Sequence, residues 1–533
     1  MKKEAARAIS IRARGTFGTE VRPVAAGVRP VVWSIAGSDS GAGAGLQADL
    51  KALQAFGVHG CTAVAAITAQ NSVAVTRVEP VSADVLDAQL RALAQDLPPQ
   101  AIKTGLLGSV DNVRVVCQWV DRLRAQGQPV ALVVDPVLGA TTGVRFAGDA
   151  LVQAYVQELL PRATLVTPNR EEAERLLALV GQGASATVPE AAAALAGLAP
   201  DSLSVVVTGG DTSGRDGLAA DWLHCPQATG WLSQPRVDTR HHHCTGCTFA
   251  ATAAAALASG YCVADAVVLA KMATTHALRH AYAAGQGAGP VQALPDFAQH
   301  IDNLPAFTLP GATAPLAVHA LQPFAPLSNP ALGVYAVVDS AAWVRRVLAA
   351  GIRTVQLRIK DPAEPTLAAQ MAESMAIARA TPGAQLFIND HWQLALQHGA
   401  YGVHLGQEDL EQVDLQALRQ AGVRLGLSTH SYWEVARAWA LRPSYIACGP
   451  IFATQSKDMP WIPQGLDNLR YWARVLPLPV VGIAGIDAGN VAEVAATGAA
   501  SAAVISAITK AADPEQACTA LLQGFACGTT PST

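Results

Sequence analysis

The chain has 533 residues, of which 51% are hydrophobic and 15% are charged, and its formal net charge at pH 7 is -4. A chain of this length is expected to hold two large domains or three small ones, at about 100–200 residues per domain. The composition excludes a disordered chain, and the small net charge argues against a nucleic-acid or membrane-surface partner. The sequence also lacks an apolar run of the ~18–20 residues that a membrane helix needs.

The N-terminal segment 1–30 begins MKKEAARAISIRARG, which is basic and has no long apolar core. We expect an extension rather than a secretory signal, and an Arg-rich transit peptide stays an alternative. The 9 cysteines are scattered along the chain and odd in number. They predict a reducing cytoplasm rather than a disulfide framework.

Between residues 31 and 300, short apolar segments alternate with helix-compatible stretches. The segments include ALVVDPVLG at 131–139, TLVTPN at 164–169 and LSVVVTGG at 203–210. Alternating strands and helices predict a parallel sheet covered by helices. The sequence therefore predicts an α/β domain over residues 31–300.

Several turns of this first domain suit a phosphorylated ligand. The stretch AGSDSGAGAGLQADLK at 36–51 is a Gly-rich turn that enters a helix, but it lacks the G-K-[ST] ending of a Walker A loop. Asp135 follows a strand, and Asn169 and Glu172 have an N-x-x-E spacing suited to a network of water, Mg²⁺ and phosphate. The segment VTGGD adds two glycines that permit close approach of a nucleotide, Gly209 and Gly210.

The stretch HHHCTGCTFAAT at 241–252 allows three interpretations. Zinc would need Cys244, Cys247 and two histidines, but adjacent histidines rarely converge on one ion. A thioredoxin-like pair is expected after an early strand, whereas this C-x-x-C comes late in the domain. The third interpretation places the turn at the N-terminus of an Ala-rich helix, where free N–H groups and the helix dipole favour an anion. Cys247 would then be a base or polar contact for a hydroxyl group in phosphoryl transfer.

The order of these motifs resembles hydroxymethylpyrimidine/phosphomethylpyrimidine kinase. The resemblance covers about residues 31–290 and rests on AGSDSGAGAGLQADLK, AITAQNS, IKTGLLG, TPNREEAE and TGCT. It implies a ribokinase-like α/β/α sandwich that uses Mg²⁺ and takes ATP as co-substrate. The roles that it implies are substrate binding by Asp49 and Gln70, contact of Cys247 with the reacting hydroxymethyl group, and an anion hole completed by Thr245 and Gly246.

Two positions depart from the kinase pattern. The family's anion hole usually reads G-T-G-C, and here Cys244 stands at the first glycine, where a Cβ crowds the turn. Thr208 stands where several members have a lysine near the nucleotide phosphates. These departures leave an alternative open, in which the first domain performs one phosphorylation step or only binds the pyrimidine.

The alternating pattern ends near residue 300. The stretch 303–330 is rich in proline and alanine and has no acidic residue, which predicts a linker over 301–330. A second alternation occupies 331–527, and eight βα units in about 195 residues predict a (β/α)8 TIM barrel with its chemistry at the C-terminal strand ends. The predicted strands are 333–339, 354–360, 385–390, 401–406, 424–429, 445–451, 479–486 and 502–508.

Polar residues concentrate at these strand ends. In QLRIK, Gln356, Arg358 and Lys360 alternate with apolar residues, so period two places them on one face of a strand, suited to a diphosphate. A solvated surface strand is the alternative. The carboxylates of Asp390 and Asp409 follow two later strands and suggest Mg²⁺ bridging protein and phosphate oxygens.

This second set resembles thiamine-phosphate synthase, over nearly all of 331–525. The motifs are QLRIKD, FINDHWQLA, GVHLGQEDL, LGLSTH, GPIFATQSK and VISAI. The resemblance implies that a pyrimidine diphosphate is held by Gln356, Arg358, Lys360 and Asn389. It implies Mg²⁺ at Asp390 and Asp409, and contact with the pyrophosphate side by Ser428 and Lys457. It implies a thiazole phosphate site formed by Thr454, Ser456, Gly485, Ile505 and Ser506. The family usually has Thr at position 456 and often has Gly at position 484, where this chain has Ala484.

Together the two resemblances predict a bifunctional enzyme of thiamine biosynthesis, because the product of the first domain is the substrate of the second. Mg²⁺, Arg358 and Lys457 would neutralise the departing pyrophosphate, so the coupling step needs no protein nucleophile. The expected partners are small-molecule substrates, with a homo-oligomer possible. A zinc or redox protein is the rival hypothesis, motivated by the C-x-x-C.

Overall fold

The computed structural model describes residues 29–139, 146–179, 181, 187–199, 201, 203–210, 217–317, 321–453 and 463–529. The first half is an open sheet of 10 strands with the order β10-β9-β8-β7-β6-β5-β4-β1-β2-β3. The strands are β1 Val31–Asp39, β2 His59–Gln70, β3 Val75–Pro80, β4 Ala101–Thr104, β5 Ala131–Val134, β6 Leu165–Val166, β7 Ser204–Val207, β8 Leu218–His224, β9 Thr229–Pro235 and β10 Ala306–Phe307.

The centre of this sheet, from β2 to β7, is parallel, while β3, β8, β9 and β10 pair in the antiparallel direction. The predicted parallel α/β domain is thus confirmed for the central strands. Its α-helices are α1 Gly45–Phe56, α2 Ala83–Asp96, α3 Val110–Ala125, α4 Asp149–Ala154, α5 Arg170–Ala178, α6 Val188–Ala196, α7 Thr245–Ala258 and α8 Val263–Arg279.

Helix α7 is the Ala-rich segment that follows the CTGC turn, and nearly all of its residues from Thr248 onward are buried. It contacts α8 and α1 closely, because alanine side chains let helix backbones approach one another. The predicted Ala-rich helix after the CTGC turn is therefore confirmed. Its first turn is positioned by this packing against the ends of the central strands.

The second half is a closed eight-stranded barrel in which every neighbouring pair is parallel. All eight predicted strands are present, but those predicted over 354–360, 445–451, 479–486 and 502–508 end earlier, at Leu357, Cys448, Ile483 and Val504. They are β11 Gly333–Val338, β12 Thr354–Leu357, β13 Gln385–Asn389, β14 Gly402–Leu405, β15 Arg424–Thr429, β16 Tyr445–Cys448, β17 Val480–Ile483 and β18 Ser501–Val504. The helices are α9 Ala341–Ala349, α10 Leu367–Ala380, α11 Trp392–Gln397, α12 Leu415–Gln420, α13 Tyr432–Ala440, α14 Gly465–Val475, α15 Val491–Ala495, α16 Ser506–Thr509 and α17 Pro514–Thr529.

The predicted linker over 301–330 needs correction. Strand β10 lies inside it and pairs with β9, so this segment is the edge of the first sheet. Farther along, Phe324 is buried beneath the guanidinium of Arg419, and Arg424 donates to the carbonyl of Pro326. These contacts could not be predicted from the sequence pattern. A two-residue edge strand and single buried side chains produce no repeating alternation of apolar and polar residues.

The two halves meet where α8 begins. Oδ1 of Asp265, a fully buried residue, accepts a hydrogen bond of 2.9 Å from the backbone N–H of Trp433 in the first turn of α13. Phe307 of β10 packs edge-on against the Trp433 ring, and Tyr261 packs edge-on against Tyr432. A carboxylate at a helix N-terminus satisfies free N–H groups, so α8 of one half caps a helix of the other.

Within the described part of the chain, every helix is too short or too polar to cross a membrane.

Candidate active sites

A cavity of about 800 Å³ opens in the first half. It lies where β1, β4 and β5 end and where α7 begins, which is the usual ligand position in a parallel sheet. Residues on its wall include Asp39, Gln70, Lys103, Asp135, Asn169, Glu172, Thr208, Gly210, Asp221, His243, Cys244, Thr245, Gly246, Cys247 and Lys271. The structure thus brings together most of the residues predicted for this domain.

The CTGC turn forms the N-terminus of α7. Cys244 is the N-cap and has φ 74°, a left-handed conformation that costs a residue with a Cβ roughly 1–2 kcal/mol. Thr245, Gly246 and Cys247 form the first turn and line the cavity, with their N–H groups among those that a helix leaves unpaired. The CTGC turn therefore lies at a helix N-terminus that opens onto the cavity, as the third interpretation expects.

The two thiols of this turn interact with each other. Burial, followed by the interaction with Cys247, raises the pKa of the Cys244 thiol well above its ordinary value. Of the three histidines before the turn, His241 bonds to a neighbouring loop, since its Nδ1 accepts from Gly289 N–H at 3.0 Å. Among the described residues, the histidine and carboxylate groups that converge as a possible ligand set are His276, Asp296 and His300, and not this turn.

A buried ion cluster lies behind the first turn of α7. The Lys103 ammonium is 3.0 Å from both carboxylate oxygens of Asp49 and 3.6 Å from Asp135 Oδ2. Burial lowers the pKa of this ammonium, whereas the charges of Asp49, Cys247 and Asp135 raise it. The pKa of Lys103 is raised overall, so the cation stays charged beside Cys247.

The two carboxylates of the cluster differ in position. Asp49 is fully buried and also accepts from Ser34 Oγ at 2.6 Å, so it supports Lys103 from behind the cavity wall rather than facing a substrate. Asp135 does line the cavity. Burial is the main cause that raises the pKa of Asp135 to about 6.

Asp39 shapes the Gly-rich turn at the end of β1. Its carboxylate accepts backbone N–H groups of Gly41 at 2.8 Å, Gly43 at 3.0 Å and Ala44 at 2.7 Å. This clamp holds the turn against the cavity, with His243 Nε2 4.0 Å from Asp39 Oδ2. The predicted pyrimidine ligand Gln70 ends β2 on the same wall.

The predicted Asn169–Glu172 pair forms a capping box. Asn169 Oδ1 accepts from Glu172 N at 2.9 Å, and Glu172 Oε2 accepts from Asn169 N at 3.0 Å. Glu172 Oε1 accepts in addition from Leu138 N. The N-x-x-E spacing is thus a helix-start signal as well as a carboxylate on the cavity wall.

A second buried ion pair lies beside the two predicted glycines. Lys271 Nζ of α8 is 2.8 Å from Asp221 Oδ2, and Asp221 Oδ1 accepts from Gly209 N at 3.0 Å. A Cβ at Gly209 would lie 2.0 Å from the carbonyl oxygen of Ala220, so only glycine fits there. Gly210 and Lys271 both line the cavity, so a cation does face this region, supplied by α8 rather than by position 208.

In the barrel, the C-terminal strand ends form a surface that we call the barrel mouth. Gln356, Arg358 and Lys360 were predicted to lie on one face of a strand. This prediction is wrong for Arg358 and Lys360, because β12 ends at Leu357. Gln356 lies buried inside the barrel, whereas Arg358 is half-buried and Lys360 is exposed in the following loop.

The two predicted metal ligands lie side by side at the mouth. Asp390 follows β13 with φ 59°, and Asp409 lies in a short 3₁₀ helix after β14. Burial, and then the neighbouring charge of Asp409, raise the pKa of Asp390 to about 6. Asn389 donates to Asp390 from the end of β13.

Ser428 ends a chain of hydrogen bonds that crosses the barrel interior. Its Oγ lies 2.8 Å from His404 Nε2, and His404 Nδ1 lies 2.7 Å from the Tyr445 hydroxyl. The Tyr445 hydroxyl is 2.8 Å from that of Tyr335, which accepts from Gln356 Nε2 at 3.3 Å. Two predicted substrate ligands are thus joined through three residues that were not predicted.

The remaining predicted residues fall at β17 and β18. Gly485 has φ 70°, and a Cβ there would lie 2.6 Å from Phe452 Cβ, so the turn requires glycine. Ala484 has φ 79°, which makes this departure from the family a strained one. Ile505 and Ser506 lie at the start of α16. The predicted Thr454, Ser456 and Lys457 lie outside the described residues.

Comparison with known proteins finds a matching family model for each half. A family model for phosphomethylpyrimidine kinase matches residues 39–292, and one for thiamine monophosphate synthase matches residues 334–508. Thiamine-phosphate synthase of Enterobacter sp. (strain 638) is 54% identical over 193 residues, which are 36% of this chain and 91% of the relative. The chain belongs to the thiamine-phosphate synthase family. Because the kinase model matches its other half, it is a bifunctional enzyme of thiamine biosynthesis.

Two solved structures resemble the kinase half. Phosphomethylpyrimidine kinase of Clostridium difficile 630 has 30% identity and a TM-score of 0.40, and the match covers 47% of this chain and 100% of that one. Pyridoxal kinase of Bacillus subtilis, in an ADP complex, has 33% identity and a TM-score of 0.44, covering 50% and 97%.

Sequence reasoning missed Lys103, Asp39 and His404 as parts of these sites. A usable signal existed for Lys103, because a lysine inside a strand flanked by apolar residues is rarely buried without a partner. No local signal existed for His404, whose partners come from other strands.

Proposed function

We propose that the kinase half phosphorylates 4-amino-5-hydroxymethyl-2-methylpyrimidine and then its monophosphate, with ATP as phosphoryl donor. The observation that carries this proposal is the first turn of α7, which opens onto the cavity with Cys247 beside the buried cation of Lys103. Free N–H groups at a helix N-terminus stabilise the charge of a transferring phosphoryl group. The aminopyrimidine would lie against Gln70, with its hydroxymethyl at Cys247.

The nucleotide would lie on the other side of the cavity. Asn169, Glu172 and Asp135 face this side. Gly210 leaves room for the phosphates, since a Cβ there would meet no atom within 4 Å, and Gly209 is the residue before it. Asp135 and Glu172 are oxygen donors of the kind that Mg²⁺ binds directly or through water. The cation of Lys271 supports the same region, which suits a nucleotide with several negative charges.

We propose that the barrel couples the resulting pyrimidine diphosphate to thiazole phosphate, giving thiamine phosphate and pyrophosphate. Gln356, Arg358, Lys360 and Asn389 would hold the diphosphate. Arg358 and Lys457 would neutralise the departing pyrophosphate, with Ser428 donating to it. The residues assigned to the thiazole phosphate are Thr454, Ser456, Gly485, Ile505 and Ser506.

Mg²⁺ fits the pair Asp390 and Asp409. The two carboxylates lie so close that the charge of Asp409 adds to burial in raising the pKa of Asp390. A hard divalent cation would offset this repulsion and prefers such oxygen donors. When bound, the ion would supply positive charge to the diphosphate oxygens. Asp409 is oriented by the N–H of Gly406, which donates to its Oδ2 at 2.8 Å.

We also propose a cytoplasmic setting, since all 9 cysteines are free thiols in the structure and a reducing compartment preserves them.

The test is one reaction with purified protein, hydroxymethylpyrimidine, thiazole phosphate, ATP and Mg²⁺, followed by mass-resolved chromatography. We expect thiamine phosphate. Product formed only from ready-made pyrimidine diphosphate would refute the kinase proposal while the barrel proposal stands. Accumulated monophosphate would then show that the first half performs a single step.

A further inference from the structure

The hydrogen-bond chain inside the barrel has a direction, which its end residue sets. Gln356 presents its amide N–H₂ to the Tyr335 oxygen, so Tyr335 accepts there. A phenol has one hydrogen, and the Tyr335 hydroxyl must therefore donate onward to Tyr445 at 2.8 Å. By the same count, Tyr445 donates its hydrogen to His404 Nδ1 at 2.7 Å.

The direction fixes the tautomer of His404. Because Nδ1 accepts, the single proton of the neutral ring lies on Nε2, 2.8 Å from Ser428 Oγ. His404 is only 6% exposed. A ring whose Nδ1 accepts from the Tyr445 hydroxyl is not an imidazolium, so the ring is neutral in this arrangement.

This tautomer determines whether Ser428 can donate a hydrogen bond. Ser428 is half-buried and lies at the open end of the hydrogen-bond chain. A hydroxyl that accepts from an imidazole N–H keeps its own hydrogen free to donate elsewhere. The opposite tautomer would consume that hydrogen, since Ser428 would then donate to His404.

We propose that His404 is a positioning residue of the coupling reaction, which holds Ser428 as a hydrogen-bond donor toward the anionic leaving group at the barrel mouth. This inference rests on the proposed role of Ser428 toward pyrophosphate. His404 touches no substrate itself and acts through the serine hydroxyl. The structure makes room for this arrangement, because a Cβ at Gly426 would lie 2.3 Å from the Tyr445 hydroxyl.

The test compares four variants of the full chain with ready-made pyrimidine diphosphate: Ser428→Ala, His404→Leu, His404→Gln and the double variant Ser428→Ala/His404→Leu. Glutamine is the matched control for leucine, since its amide carries an acceptor and a donor on one carbon, as the imidazole carries both nitrogens on Cε1. Removing a donor to transition-state charge typically costs about 10²–10³-fold in kcat. We expect that loss for Ser428→Ala, about a tenfold or greater loss for His404→Leu, and a kcat within about threefold of wild type for His404→Gln.

The double variant gives the decisive comparison. If His404 acts through Ser428, the double variant is no slower than Ser428→Ala by more than about twofold. Multiplied losses, or a His404→Gln variant as slow as His404→Leu, would overturn the inference. KM for both substrates should stay close to wild type, because the donor is directed to charge that develops as the leaving group departs.

The two proposals fail separately. If Ser428→Ala keeps wild-type kcat, the proposed role of the serine is wrong. If Ser428→Ala is slow but His404→Leu is not, only the inference about His404 is wrong. Should His404→Leu fail to fold, Tyr445→Phe tests the same chain without changing either residue, because it removes the donor that fixes the tautomer. We expect its kcat to fall about threefold to tenfold, and an unchanged kcat would overturn the inference.

Discussion

Each half of the chain holds a buried polar network beside its site, and the two networks are built from opposite chemistry. The kinase half uses full charges, with Lys103 between Asp49 and Asp135. The barrel uses neutral groups joined in one direction, from Gln356 through two tyrosines to His404. A fixed charge and a hydrogen bond of fixed direction are thus two different ways to prepare a site for anions.

The two networks also differ in how they respond to the loss of one member. A buried ion cluster is balanced only while all members are present, because a lone buried charge is costly. A neutral chain loses about 1 kcal/mol per broken bond but transmits the position of one proton along its length. The cluster therefore supplies a fixed charge, and the chain supplies a fixed donor.

The largest expected effect is the loss of the lysine from the charged cluster. Lys103→Met should lower the free energy of unfolding by about 3–5 kcal/mol, because Asp49 and Asp135 would be left buried without a counter-charge. Urea denaturation of the full chain measures it. Lys51→Met, at an exposed lysine of α1, is the matched control and should cost less than about 1 kcal/mol. Equal stability of the two variants would show that the cluster is not a balanced charge network.

The neutral chain should respond to acid. The pKa of His404 is lowered to about 4 in the folded protein, against an ordinary value of 6.5, so the unfolded state binds more protons between these pH values. Its contribution to stability is complete above about pH 6.5 and falls by about 3 kcal/mol as pH drops to about 4. The difference in unfolding free energy between wild type and His404→Gln, measured from pH 7 to pH 4, isolates this group. A difference independent of pH would contradict a neutral buried ring.

Removal of one link of the neutral chain should cost less. Tyr445→Phe leaves the Tyr335 hydroxyl and His404 Nδ1 without a partner, which should lower the free energy of unfolding by about 2 kcal/mol. Tyr282→Phe is the control, since Tyr282 is 47% exposed. Chemical denaturation of both variants makes the comparison, and equal values would show that the Tyr445 hydroxyl bonds are not stabilising.

The smallest expected effect concerns two strained residues, one in each half, at positions where the family usually or often has glycine. Cys244 has φ 74° and Ala484 has φ 79°, so Cys244→Gly and Ala484→Gly should each stabilise the protein by about 1 kcal/mol. Ser259→Gly, where φ is -84°, is the control and should not stabilise. The thermal midpoint reports all three. A lower midpoint for Cys244→Gly would mean that the interaction between the two thiols outweighs the backbone strain.

Much of the architecture was predictable because it rests on local patterns. Eight apolar segments, each followed by a helix-compatible stretch, predicted the barrel. The CTGC turn before an Ala-rich run predicted the start of α7. The linker over 301–330 was misjudged because β10 is two residues long and is stabilised by β9, more than 70 residues away. Local periodicity cannot report a partner that distant.

The sequence by itself determined the two families, the order of the elements and which polar residues lie at strand ends. Each of these follows from motifs and spacings that extend over only a few residues. Only the tertiary structure decided which groups meet. Asp49 was predicted to face a substrate, yet the fold places it behind the wall as the partner of Lys103, 54 residues away. His404 looked like one more strand residue, yet closure of the barrel places it between Tyr445 and Ser428. Pairing across strands sets these contacts, since burial forces every polar group to find a partner wherever the fold supplies one.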